Sequence, residues 1–112
     1  MKIDFTADDV PRLLKHGVAL CAFRIVQEAL RNARKHGGAP SAEVKLEMVR
    51  DQIHLIVIDQ GVGFTPREVK MKQGLGLRTM EERARPQGGR LSIQSKVGAG
   101  TRIDVWLPLA PM

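Results

Sequence analysis

Three polar residues in "FRIVQEALRNARKHG", residues 23–37, have the types and spacing to do chemistry: Glu28, Asn32 and Lys35. A helix anchored by Phe23, Val26, Leu30 and Ala33 sets them along one line, Asn32 about 40° from Glu28 and Lys35 about 20° to its other side. The apolar residues fill the opposite half of the wheel, so the trio faces away from the helix's own core contact. A carboxylate, an amide oxygen and an ammonium in line suit a hard cation and phosphates. A solvated face, with Glu28 supporting Arg31 or Asn32 along the helix, has the same pattern.

Two glycine pairs lie downstream. "IVIDQGVGF" ends an apolar run with Asp59, then Gly61 and Gly63. A carboxylate at the end of a buried strand needs a donor partner, because burying it unpaired is costly. "GLGL", residues 74–77, precedes a second helical stretch, and a helix N-terminus with its unpaired N–H groups is a natural phosphate seat. Either string alone also describes an ordinary turn. The chain contains no G-x-x-x-x-G-K-[ST] and no strand–GxGxxG–helix fingerprint. His16, His36 and His54 lack metal-ligand spacing with one another, and the local sequence shows no Ser-His-Asp arrangement.

The elements that must position these residues follow from composition and pattern. A chain of 112 residues with 43% hydrophobic and 27% charged content is expected to form one domain with an ordinary core. Its net charge of +6 favours an anionic partner. Aromatic content of 4% and the lack of a contiguous Lys/Arg block argue against nucleic acid. The single Cys21 excludes an internal disulfide and sits in "VALCAF" as a small core residue. No apolar run reaches the length of a membrane span, and "MKIDFTADD" has no signal-peptide core, so a cytoplasmic domain without membrane contact is expected, its parent free to be membrane-anchored.

"KIDF" reads as a short strand and "ADDVPRLLKHG" as a turn or brief helix ending near Gly17. The main helix stops at "HGGAP". "AEVKLEMV" alternates, "IHLIVID" is continuously apolar and therefore central, and "RLSIQSK" and "TRIDVWLPL" pair across "VGAG". "LGLRTMEERARP" is a helix stopped by Pro86. Short turns between strands imply an α+β two-layer sandwich, a mixed and largely antiparallel sheet with helices on one face.

The order of these strings resembles the GHKL ATPases. "EALRNARKH" looks like their N-box, "DQGVGF" like the G1 box, "GLGL" like the G2 box, and "GAGTRIDVWLPL" is similar to the closing G-T segment and final strand. The resemblance runs from about Ala19 to Leu109 and is strongest to bacterial sensor histidine kinases that signal to LuxR-type response regulators. It implies a Bergerat-type fold, ATP and Mg²⁺ as cofactors, and phosphoryl transfer to a histidine on a separate dimerisation domain, with a response regulator downstream.

The same resemblance implies roles residue by residue. Asn32 would coordinate Mg²⁺, and Glu28 would hold a metal-bound water or act as general base toward the acceptor histidine. Lys35 and His36 would lie near the phosphates. Asp59 would accept a hydrogen bond from the adenine amino group, supported by Thr101. Gly61 and Gly63 would flank the adenine and hinge a lid over residues 64–74, expected to be mobile without nucleotide. Gly74, Leu75, Gly76 and Leu77 would bind the triphosphate. Two departures are Gln60, where many relatives carry a second acid, and Pro86, which shortens the second helix. Neither removes a nucleotide contact. His16 lacks the acidic context of a phosphoacceptor, and no acceptor helix pair is legible in these residues. A GHKL regulatory module or an anti-sigma-factor-like serine kinase is the alternative on the same fold.

Overall fold

The computed structural model describes residues 1–8, 16–71 and 76–109. Its elements are β1 (Lys2–Asp8), α1 (His16–Lys35), β2 (Ser41–Val49), β3 (Gln52–Asp59), α2 (Pro66–Met71), α3 (Leu77–Ala84), a 3₁₀ turn (Arg85–Gln87), β4 (Arg90–Lys96) and β5 (Gly100–Pro108). The five strands form one sheet in the order β1-β2-β3-β5-β4. β1 pairs with β2 in parallel, and the other three pairings are antiparallel. The mixed sheet with helices packed against it is the α+β sandwich that the alternating runs imply.

β3 is central because it can be buried on both faces. Ile53, Leu55 and Val57 point to the helices, and Ile56 is buried on the other side. Inward residues of β5, Ile103, Val105 and Leu107, join Leu77 and Met80 of α3 and the buried side of α1 in one core. Proline stops α3 as expected: Ala84 is its last residue, Pro86 enters the 3₁₀ turn, and the Gly88 N–H bonds back to the Arg85 carbonyl.

The orientation of α1 departs from the pattern in its sequence. Its buried face is Val18, Cys21, Ile25, Ala29, Asn32 and Ala33, whereas Phe23 is 57% exposed. The helix carries two apolar stripes, and the core takes the one with small residues, which let the backbone approach the sheet closely. Phe23 is left exposed on the flank, while Val26 and Leu30, partly buried, pack against the edge of the core. Asn32 therefore lies on the core side, 4% exposed, rather than on a wet face opposite it. α1 also begins at His16 and runs through Gly17, earlier than the glycine implies, while residues 9–15 lie outside the described part.

The segment expected to be a mobile lid contains α2. A reciprocal cap starts it: the Thr65 N–H donates to Glu68 Oε1 at 2.9 Å and the Glu68 N–H to Thr65 Oγ1 at 3.1 Å. These bonds hold the Glu68 carboxyl below its ordinary range. On the sheet face away from the helices, Asp104 accepts from Arg102 at 2.8 and 3.0 Å and lies 2.8 Å from His54 Nε2. The Arg102 hydrogen bonds, more than the His54 contact, hold the Asp104 carboxyl below the usual range. His54 in turn stacks on Trp106, with ring centroids 4.7 Å apart. No helix among the described residues is long and apolar enough to cross a membrane.

The rotated α1 has a direct test. Ile25→Ala should destabilise by about 2–5 kcal/mol as a core truncation, whereas Phe23→Ala should stay within about 0.5 kcal/mol of wild type. Urea unfolding of the two variants measures both. Equal losses would restore the Phe23 stripe to the core.

Candidate functional site

The C-terminal end of β3 brings the site together. Asp59 is its last residue and stands opposite Thr101 of β5. Both side chains are buried, at 8% and 5% exposed. Asp59 Oδ1 accepts the Gly61 N–H at 2.8 Å, and the Thr101 backbone N–H also donates to this carboxylate. Burial nevertheless dominates and raises the Asp59 pKa above its ordinary value, with the two N–H groups opposing the shift. The donor the sequence demanded is supplied in part by the backbone.

The loop after Asp59 is clamped from two sides. The Val62 N–H bonds the Gly37 carbonyl just beyond α1 at 2.9 Å, and the Gly98 N–H bonds the Val62 carbonyl at 2.7 Å. Gly61 passes so close to that Gly37 carbonyl that an added Cβ would lie 2.7 Å from it. Gly63 has φ +74°, and a Cβ there would overlap the Lys96 carbonyl. Phe64 then turns into the core, 5% exposed, with its N–H held by Ser95 Oγ at 2.7 Å. Gln60 is exposed, so the missing second acid costs the site no buried contact.

Across this loop stands the C-terminal half of α1. The Asn32 carbonyl accepts from both the His36 and Gly37 N–H groups at 2.9 Å, which ends the helix beside the loop. Glu28, one turn earlier, is partly buried and lies 3.6 Å from Arg31 Nη1. Its carboxylate occupies the space where a Cβ of Gly76 would be, and Gly76 has φ +68°. The turn into α3 and the carboxylate of α1 are thus in contact because residue 76 has no side chain. Lys35 and His36 are exposed; Lys35 shares with Glu28, Arg31 and Arg34 an open depression of about 540 Å³.

Most of the residues singled out in sequence therefore converge: Glu28 meets Gly76, and Asp59, Gly61, Gly63 and Thr101 form one cluster tied to the end of α1. Gly74 and Leu75 lie outside the described residues. The Leu77 side chain is fully buried among core residues, which leaves its backbone for a ligand. Two contributors escaped notice. Gly37 supplies the carbonyl that anchors the loop, and Ser95 contacts Phe64, Gly100 and Thr101 at once. The signal for Ser95 was present: a hydroxyl interrupts the inward series Leu91, Ile93 of β4. Among the described residues no three His, Cys, Asp or Glu side chains gather as a metal cluster.

Residues 17–111 match the family model described as histidine kinase-, DNA gyrase B- and HSP90-like ATPase. The chain belongs to this ATPase family. Sensor histidine kinase LiaS of Bacillus subtilis (strain 168) is 40% identical over 109 residues, which are 97% of this chain and 30% of LiaS. Sensor histidine kinase YhcY of the same organism is 37% identical over 109 residues, again 97% of this chain and 28% of the relative. The chain thus spans less than a third of these relatives. Among solved structures, the histidine kinase domain of Erythrobacter litoralis EL346 blue-light activated histidine kinase superposes with a TM-score of 0.74 at 28% identity, over 96% of this chain and 51% of that one. The ATP binding domain of PrrB from Mycobacterium tuberculosis gives 0.68 at 26% identity, over 97% and 82%. A mixed sheet covered by helices is shared with these structures; in this chain the cluster around Asp59 lies at the strand ends.

The raised Asp59 pKa has a stability consequence. A carboxyl that holds its proton more tightly when folded contributes stability below its unfolded value of 3.8, lost as pH rises through the higher folded value. Asp59→Asn cannot ionise, so its stability relative to wild type should improve as pH rises from 3.8 through that window. Urea unfolding at stepped pH measures the gap. A difference that stays constant, or that shifts in favour of wild type as pH rises, would show that burial does not govern this carboxyl.

Proposed function

We propose that this domain binds ATP with Mg²⁺ and passes the γ-phosphoryl group to a histidine on a separate dimerisation domain, as the catalytic module of a sensor histidine kinase. The observation that carries it is the clamped loop: one backbone segment joins a buried carboxylate at a strand end to the helix that bears Glu28 and Asn32. Asp59 reads the adenine amino group, with Thr101 beside it. Gly61 and Gly63 keep side chains out of the adenine's path. Lys35 and His36, exposed at the end of α1, meet phosphate oxygens in this reading, supported by the cations Arg31 and Arg34 that share the depression with Lys35.

The donor set fits Mg²⁺. An amide oxygen and a carboxylate are hard ligands, too few to hold the ion alone, which is how Mg²⁺ sits when substrate phosphates and waters complete its octahedron. When bound, the ion would neutralise charge on the phosphates as the γ-phosphoryl group departs from ADP. Asn32 would hold it, and Glu28 would either position one of its waters or accept the proton of the acceptor imidazole as the N–P bond forms. Arg31 and Gly76 determine where the Glu28 carboxylate can lie. The downstream partner is a response regulator of the LuxR type, supported by the likeness of the α1 and α3 strings to kinases of that class.

Labelled ATP tests the assignment. Without an added acceptor the chain should bind ATP and remain unlabelled, because in-line positioning of the acceptor supplies most of the rate. With a cognate dimerisation helix pair, label should appear on that partner's histidine, acid-labile and base-stable. Glu28→Ala should slow transfer more than it weakens ATP binding, and Asn32→Asp should impair the Mg²⁺-dependent part. Asp59→Asn should lose about 1.5–3 kcal/mol of ATP affinity, the worth of a charge-assisted hydrogen bond. Label on this chain alone, or acid-stable label on a serine, would replace the histidine kinase with another activity.

A further inference from the structure

A serine hydroxyl has one proton to donate and two lone pairs to accept with. Ser95 Oγ has three partners in the structure. The Phe64 N–H donates to it at 2.7 Å, the Gly100 carbonyl lies 3.1 Å away, and Thr101 Oγ1 lies 2.8 Å away. An N–H can only donate and a carbonyl can only accept, so two directions are settled by chemistry. The lone proton of Ser95 goes to the Gly100 carbonyl. All three bonds then coexist in one way only, with the Thr101 hydroxyl donating to Ser95. The reverse direction would take the proton from Gly100 and leave that carbonyl without its serine partner.

This allocation decides what Thr101 offers the other side. Its one proton is committed to Ser95, so Thr101 Oγ1 faces a ligand with lone pairs alone. The residue across the strand pair is Asp59, whose ionised carboxylate also only accepts. Two acceptors therefore stand side by side at the strand ends. We infer that Ser95 is a specificity-determining residue: by holding the Thr101 proton, it makes the base subsite accept-only and tunes it to a purine with an exocyclic amino group. Ser95 is a positioning residue in this, acting through Thr101 without contact to the base.

At C6, the position that the Asp59–Thr101 pair is taken to face, adenine presents an amino donor where hypoxanthine presents a carbonyl acceptor. Removing the Ser95 hydroxyl frees the Thr101 proton to turn toward that carbonyl, so discrimination falls. The inference rests on the proposal that Asp59 and Thr101 face the base. Failure of that proposal is seen separately, as wild-type protein that binds ATP and ITP alike.

The experiment is calorimetric titration of ATP and ITP, each with Mg²⁺, on the whole chain. In wild type ATP should bind more tightly. Ser95→Ala should lower the ATP-to-ITP affinity ratio by roughly threefold to tenfold, the range of one neutral hydrogen bond. Ser95→Thr keeps the hydroxyl and should keep the ratio. In a Thr101→Val background, Ser95→Ala should leave the ratio unchanged, because the proton it controls is gone. A loose loop would instead weaken both nucleotides equally, leaving the ratio at its wild-type value, and that overturns the inference. A ratio shift that persists in the Thr101→Val background overturns it also. Should Ser95→Ala fail to fold, Ser95→Cys, with a weak donor and acceptor, must lower the ratio in the same direction; an unchanged ratio there overturns it.

Discussion

A carboxylate held away from water at the end of the central strand is the constraint from which the site is built. Asp59 has an apolar strand behind it and burial raises its pKa, so the surroundings must supply donors without closing the cavity. They are backbone donors, from Gly61 two residues on and Thr101 across the sheet. Backbone groups suit the task because they bring no side chain with them. The geometry that delivers them also explains the crowding: Gly100 touches the Asp59 carbonyl, and Gly63 touches the hairpin between β4 and β5. Those positions take glycine because main chain meets main chain there.

The helix α1 solves a different problem with the same economy. It must lie close enough to the sheet to deliver Asn32 to the border of the core, and small residues, Cys21, Ala29 and Ala33, permit that approach. Glu28 is then left beside the turn into α3, where Gly76 makes room for it. The carbonyl of Gly37, just past the helix end, anchors the loop that follows Asp59. Helix, loop and strand end thus share one set of short backbone bonds. A shift of α1 along the sheet would disturb the placement of both the metal-binding candidates and the buried carboxylate.

Ser95 shows how such a site acquires direction. Hydrogen bonds to carbonyls and amides have fixed polarity, but two facing hydroxyls do not. The polarity of the Ser95–Thr101 pair is set by the amide of Phe64 and the carbonyl of Gly100, groups outside the proposed base-binding surface. The loop that brings Phe64 into the core therefore also orients the proton of Thr101.

Local pattern by itself determined the strands, the two principal helices and their stops. Alternation in "AEVKLEMV" and continuous apolarity in "IHLIVID" are properties of single segments, as is the effect of Pro86. The polar trio on α1, the carboxylate before two glycines and the closing Thr101 were legible for the same reason, since each is a short string. Only the tertiary structure decided which of two apolar stripes on α1 faces the sheet, because both satisfy helical periodicity and the choice depends on how closely the backbones approach. It also decided the burial of the Leu77 side chain, the loop anchor at Gly37 and the threefold contact of Ser95. Those depend on residues distant in sequence meeting at one point, and no periodicity encodes such a meeting.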